Sequence, residues 1–269
     1  MQQDEPSSLT TAKAPGAGIA GRDRWIGLTR FTPARIALGR TGGSLRTEAL
    51  LDFRVGYARA RDAVQNEFNA AAVEEVLRAE KMETFRLATL ATERRTYLAR
   101  PDLGRQLSEN SRRELRERVA VWGKRELAII VSDGLSALAA ERNAVPLLVE
   151  LLPLLRAEGW TIYPVFVTPF ARVKLQDEVG ELLGARHALM LIGERPGLSS
   201  PDSLGAYFTF RPCAERTDAD RNCVSNIRPE GLPPAMAAQK ISLLLTESAR
   251  RGVSGIGLKD VETEVIGGL

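Results

Sequence analysis

The side chains that could carry chemistry are few in this chain. It has one histidine, His187, and two cysteines, Cys213 and Cys223. Nine residues separate the cysteines, and no C-x-x-C, H-E-x-x-H or His-rich tract occurs. A protein zinc site is therefore not expected. A Ser-His-Asp or Cys-His arrangement has only His187 to draw on. That residue opens the apolar run Ala188 to Ile192, where a strand-entry histidine is the expected role. An acid–base pair can be drawn from Asp133 and Glu194, but sequence alone does not bring them within reach of each other.

The densest polar chemistry sits in two segments. One is Gly193-Glu194-Arg195-Pro196-Gly197-Leu198. The other runs from Thr217 through Asp218, Asp220, Asn222, Cys223 and Asn226 to Gly231. Their Pro, Gly, Asp and Asn content argues against simple helix or strand. Loops of that length and chemistry usually serve a ligand or a partner. Each residue also has a plain reading. Glu194-Arg195 is a surface ion pair of little worth, the aspartates cap turns, and Cys223 packs as a small hydrophobe.

Composition bounds the class. With 269 residues and 44% hydrophobic content, one large or two modest domains can bury a core. No stretch of 18 apolar residues marks a membrane span. The first residues lack the basic and apolar regions of a signal peptide, so a cytoplasmic location is expected. The two cysteines fit a reducing compartment. Residues 22–61 carry nine arginines against Asp23, Glu48 and Asp52. A surface that meets an acidic protein partner is ranked first for this region. Nucleic acid is ranked last, because the aromatic residues do not interleave with the arginines in a base-stacking pattern.

Residues 1–22, small, polar and Pro/Gly-rich, read as a disordered tail. Gly16 to Gly21 matches G-x-G-x-x-G, but no buried strand precedes it, so it is not a dinucleotide fingerprint. Residues 23–122 read as mainly helical: a helix after Thr47 as N-cap, an amphipathic one over 67–90, another over 103–122. From 123 the pattern becomes α/β. Strands are expected at 127–131, 161–167, 187–192 and 206–210. Helices are expected at 136–157 (interrupted by Pro146 and Pro153), 174–183 (closed by Gly184) and 235–251. This predicts a Rossmann-like, mostly parallel sheet. Ligands in such sheets lie beyond the carboxyl ends of the strands. The loops at 132–136, 168–173, 193–198 and 211–231 are accordingly expected on one ligand edge.

The residues also carry a resemblance. The chain resembles the small subunit of ethanolamine ammonia-lyase. The resemblance rests on Ala34-Arg35-Ile36-Ala37-Leu38-Gly39-Arg40-Thr41-Gly42, on Tyr97-Leu98-Ala99-Arg100-Pro101-Asp102-Leu103-Gly104-Arg105, and on Val131 to Ser136. It continues with Arg172-Val173-Lys174, Glu178 to Ala185, Gly193 to Leu198 and Asp220 to Ile227, in order, as far as Ser254-Gly255-Ile256. Residues 66–95 match weakly and the N-terminal tail does not match. The resemblance implies a hetero-oligomer with a large subunit that binds ethanolamine in a barrel, with adenosylcobalamin between the two subunits. It implies a radical conversion of ethanolamine to acetaldehyde and ammonia, with 123–269 as the cobalamin-binding domain. Carried over by motif, the cofactor contacts are Val173, Glu194 and Cys223, and no catalytic residue or metal ligand is expected in this chain. His187 lacks a D-x-H-x-x-G setting, so cobalamin is expected to keep its own base on cobalt. Some relatives enter a bacterial microcompartment by an N-terminal segment, and residues 1–22 show no amphipathic helix for that task.

Overall fold

The computed structural model describes residues 23, 25–32, 34–41 and 43–258. The expected tail at 1–22, with its glycine motif and Arg22, lies outside the described residues, as does Arg24. The chain divides into two compact units, Met1–Val55 and Gly56–Leu269.

In the first unit a 3-10 turn covers Ile26–Phe31, and β1 (Arg40–Thr41) pairs antiparallel with β2 (Ser44–Leu45). Helix α1, Thr47–Gln65, starts where the Thr47-Glu48 signal places it. The Arg35 guanidinium donates to the Asp52 carbonyl at 2.8 Å.

The second unit holds a six-stranded sheet in the order β3-β5-β4-β6-β7-β8. Helix α2 spans Ala70–Ala79, with the Asn69 side chain accepting from the Ala72 N–H as its cap. It is followed not by more helix but by β3 (Thr84–Arg86), which pairs parallel with β5 (Val165–Val167). Helices α3 (Arg94–Ala99) and α4 (Glu109–Trp122) come next. Then β4 (Leu127–Ser132), α5 (Ala137–Ala157), β5, α6 (Leu175–Leu183) and β6 (His187–Gly193) alternate as the sequence pattern predicts. Strands β4 and β6 are buried along their whole length. That is why they read as unbroken apolar runs rather than alternating ones. Helix α5 continues unbroken past Pro146 and Pro153, where an interruption was expected. Both prolines lie on its exposed side, where water can serve the carbonyls they leave open.

The mostly parallel α/β class is borne out: β3, β5, β4 and β6 run parallel. Strand β7 (Leu204–Phe210) turns antiparallel to β6, and β8 (Arg221–Ile227) antiparallel to β7. Helix α7 (Pro234–Arg251) is the last long element among the described residues. One core lies between the sheet and α2, α5 and α7, around Leu77, Leu148, Leu189 and Ile241. The other lies between the opposite sheet face and α4 and α6, around Leu115, Phe166, Val179 and Met190.

His187 is fully buried at the entry of β6, as expected. The Ser248 hydroxyl donates to the Val253 carbonyl at 2.6 Å, so His187 Nε2 must be the donor in its 3.0 Å contact with Ser248 Oγ. Burial, with Arg186 adding to it, pushes the imidazole down to about 3 from 6.5. An unfolded chain takes up this proton near 6.5 and the folded chain only near 3, so stability falls as pH is lowered through that window. The NMR signal of this single imidazole should stay in its neutral position from pH 8 to pH 5. A midpoint near 6.5 in the folded protein would contradict the buried placement.

Candidate functional site

Asp133 ties two of the loops at the carboxyl edge. It follows β4 directly and is fully buried. On α3, Arg94 donates through one nitrogen to Asp133 Oδ2 and to the Gly134 carbonyl, both at 2.7 Å, and its Nε reaches the Val64 carbonyl. The Phe170 N–H donates to Asp133 Oδ1 at 2.7 Å, and the Ser132 hydroxyl does so at 3.1 Å. Burial pushes the Asp133 carboxyl up, and Arg94 and the Phe170 N–H oppose it. The carboxylate is thus spent on joining the 132–136 and 168–173 loops. An acid–base partnership with Glu194 finds no support in this arrangement.

Beside that tie lies a groove on the sheet face covered by α6. Helix α6 packs on β4 and β6, and past it the surface opens over β7 and β8. The groove consists of two cavities, of about 830 and about 410 Å³, that share Arg172, Val173 and Tyr207 as lining. The larger extends from Asp102 and Arg105 to Cys223, and the smaller from Tyr97 and Gly134 to Glu194. Val173, Glu194 and Cys223 therefore come together around one aromatic ring.

Each is held in a defined way. Val173 is half-buried against the α6-side core. Cys223 lies opposite Tyr207 in the β7–β8 register. Burial raises the Tyr207 hydroxyl above its usual range, and the adjacent Cys223 thiol adds to the rise. Glu194 Oε2 accepts from the Ser203 hydroxyl and from the Asn226 N–H. Among the described residues no hydrogen bond reaches its Oε1. Gly205 permits this approach: a Cβ there would stand 2.8 Å from the Tyr207 ring and 2.9 Å from Glu194 Oε1. Gly205→Ala should displace both groups and weaken ligand binding several-fold without unfolding the chain. Parallel melting and binding curves check this, and unchanged binding would refute the close packing.

The far side of the groove is anchored by charge. Arg221, nearly buried, pairs with Asp177 at 3.0 Å, and Lys174 pairs with the same carboxylate at 3.0 Å. This fastens β8 to α6.

Two expectations need correction. The segment 217–231 is not one irregular loop, because its centre is strand β8. As the sheet's edge strand it buries only Arg221, Val224 and Ile227 and leaves its polar residues outward, which hides it from an apolarity search. Nor do all four loops share an edge. Because β7 reverses, the 211–220 connection lies at the opposite end of the sheet, and only the turn after Ile227 returns. Two residues of the groove had no assigned role in the sequence. Tyr207 was hidden inside an apolar strand, where its polar tip was the one available signal. Arg172 stood in the Arg-Val-Lys run.

Comparison with known proteins identifies the family. The family model for the ethanolamine ammonia-lyase light chain matches residues 22–259. An ethanolamine ammonia-lyase small subunit from Azotobacter vinelandii is 54% identical over 247 residues, covering 91% of each chain. One from Pseudomonas syringae pv. tomato is 53% identical over 237 residues, covering 88% of this chain and 83% of that one. One from Pseudomonas aeruginosa strain LESB58 is 52% identical over 242 residues. With a match running through every strand and helix that builds the groove, the chain belongs to the ethanolamine ammonia-lyase light-chain, or small-subunit, family.

Proposed function

We propose that this chain helps a large subunit hold adenosylcobalamin for the conversion of ethanolamine to acetaldehyde and ammonia. Family membership makes it part of a lyase complex with a large-subunit partner. The observation that carries the finer reading is the convergence of Val173, Glu194 and Cys223 on one groove, with Glu194 Oε1 unspent.

The residues present fit the cofactor. A corrin ring has apolar edges rimmed by amide groups that both donate and accept. The groove offers Val173 and the Tyr207 ring as apolar contacts and Glu194 Oε1 as an acceptor for amide N–H. Arg172 Nε, buried and without a partner, is a donor still to be satisfied. When bound, the cofactor supplies the carbon radical that removes a substrate hydrogen. This chain binds and orients, and contributes no acid, base or nucleophile. A base-on cofactor is the reading that suits this chain, whose single histidine, His187, is buried at the entry of β6 and bonded to Ser248 on α7. The 123–269 region is thus read as the cobalamin-binding domain, in a protein whose free cysteines suit the cytoplasm. The helical region before it, Arg-rich over 22–61, is read as the surface that meets the protein partner. Among the described residues no helix is long and apolar enough to cross a membrane.

The test is reconstitution. The purified chain, its large subunit and adenosylcobalamin should together form a complex that releases acetaldehyde from ethanolamine. A chain that neither joins the complex nor restores activity would overturn the proposal.

A further inference from the structure

Among the described residues Arg172 is the half-buried cation of the groove that no carboxylate pairs with; Arg105 and Arg195, which also line it without an ion pair, are exposed. Arg172 sits between the two cavities and lines both. One guanidinium nitrogen donates to the Tyr97 carbonyl at 3.1 Å, and the group stacks over the Tyr97 ring with its central carbon 4.1 Å from the centroid. That ring is itself fixed, because the Tyr97 hydroxyl donates to the Ala171 carbonyl at 3.1 Å. The guanidinium is therefore held in one pose before any ligand arrives. Yet its Nε has no partner, and no carboxylate among the described residues pairs with it. The other buried or half-buried cations of the groove differ. Arg221 and Lys174 share Asp177, Arg216 pairs with Asp220, and outside the groove Arg94 pairs with Asp133.

A preorganised, half-buried guanidinium without a counter-charge selects for an anion, and its planar fork suits the two oxygens of a phosphate. Adenosylcobalamin carries one such group, the phosphodiester of its nucleotide loop, while its ring rim bears neutral amides. Resting on the cobalamin reading above, we infer that Arg172 is the positioning residue that takes this phosphodiester. Glu194 and Val173 are left to the ring edge. Arg172 then sets where the nucleotide loop lies, and with it the orientation of the whole cofactor.

The assembled two-subunit complex tests this by spectral titration with two corrinoids. Hydroxocobalamin has the nucleotide loop and its phosphate, and cobinamide lacks both. Arg172→Gln should weaken cobalamin binding at least tenfold and leave cobinamide binding within about twofold, with assembly unchanged on gel filtration. Arg172→Lys keeps the charge and the fold while losing the fork, and should fall between. An equal loss for both corrinoids would assign Arg172 a merely structural role and overturn the inference, and so would no loss for either. If the wild-type complex binds neither corrinoid, the cobalamin reading itself falls and the assignment goes with it. If wild type binds both and the variants behave like it, only the assignment falls.

Discussion

Arg94→Leu should cost about 3–5 kcal/mol of folding stability, measured from urea unfolding at pH 7. The reason is the carboxylate it would abandon. Asp133 is fully buried, and among the described residues Arg94 is its one cationic partner. Removing that partner leaves a charge with no counter-charge at the junction of the 132–136 and 168–173 loops. Three hydrogen bonds from Arg94 go at the same time, including the one that holds Val64. The cost should shrink as pH is lowered, because a carboxyl already pushed up by burial then takes a proton and stops being an unpaired charge. Arg94→Leu combined with Asp133→Asn should recover part of the loss at pH 7. A cost below about 1 kcal/mol would mean that the pair does not hold the loops as described.

Glu194→Ala should weaken cobalamin binding by the assembled complex by about 10- to 100-fold, the value of a hydrogen bond to a charged group. Two losses combine. The unspent Oε1 disappears as an acceptor, and the turn at Asn226 loses the carboxylate that receives its N–H. Asn226 sits at a positive φ of 58°, so that turn depends on outside support. Glu194→Gln keeps an acceptor oxygen and should lose much less. Ser203→Ala removes one donor to Glu194 while leaving the carboxylate, and should be close to wild type in affinity. Equal affinities for wild type and Glu194→Ala would remove Glu194 from the cofactor contacts and favour a structural role for the chain.

The parallel part of the fold was legible because buried strands and amphipathic helices announce themselves by period. Leu127 to Val131 and His187 to Ile192 are apolar on both faces, and Gly184 ends α6 in the left-handed conformation, φ 62°, that was expected of it. The failures share one cause: elements whose residues answer to neighbours rather than to their own pattern. Strand β3 is three residues long and lies within a stretch rich in charge, so it was absorbed into a helix. Strand β8 carries polar side chains because it borders a groove. Site residues were legible by a different route. Val173, Glu194 and Cys223 came from motif resemblance and sit together in the structure, although periodicity could not have selected them. Arg172 and Tyr207 became visible only in three dimensions, one by its missing partner and the other by its position between two cavities.

The central claim is that cobalamin lies against this groove. Hydrogen–deuterium exchange of the small subunit within the assembled complex, with and without hydroxocobalamin, tests it most directly. The account predicts slowed exchange in peptides covering 170–174, 193–198 and 222–226, with no change at 184–187 and 249–252 on the opposite edge of the sheet. Protection confined to that opposite edge, or none in this chain when the complex has bound cofactor, would contradict it.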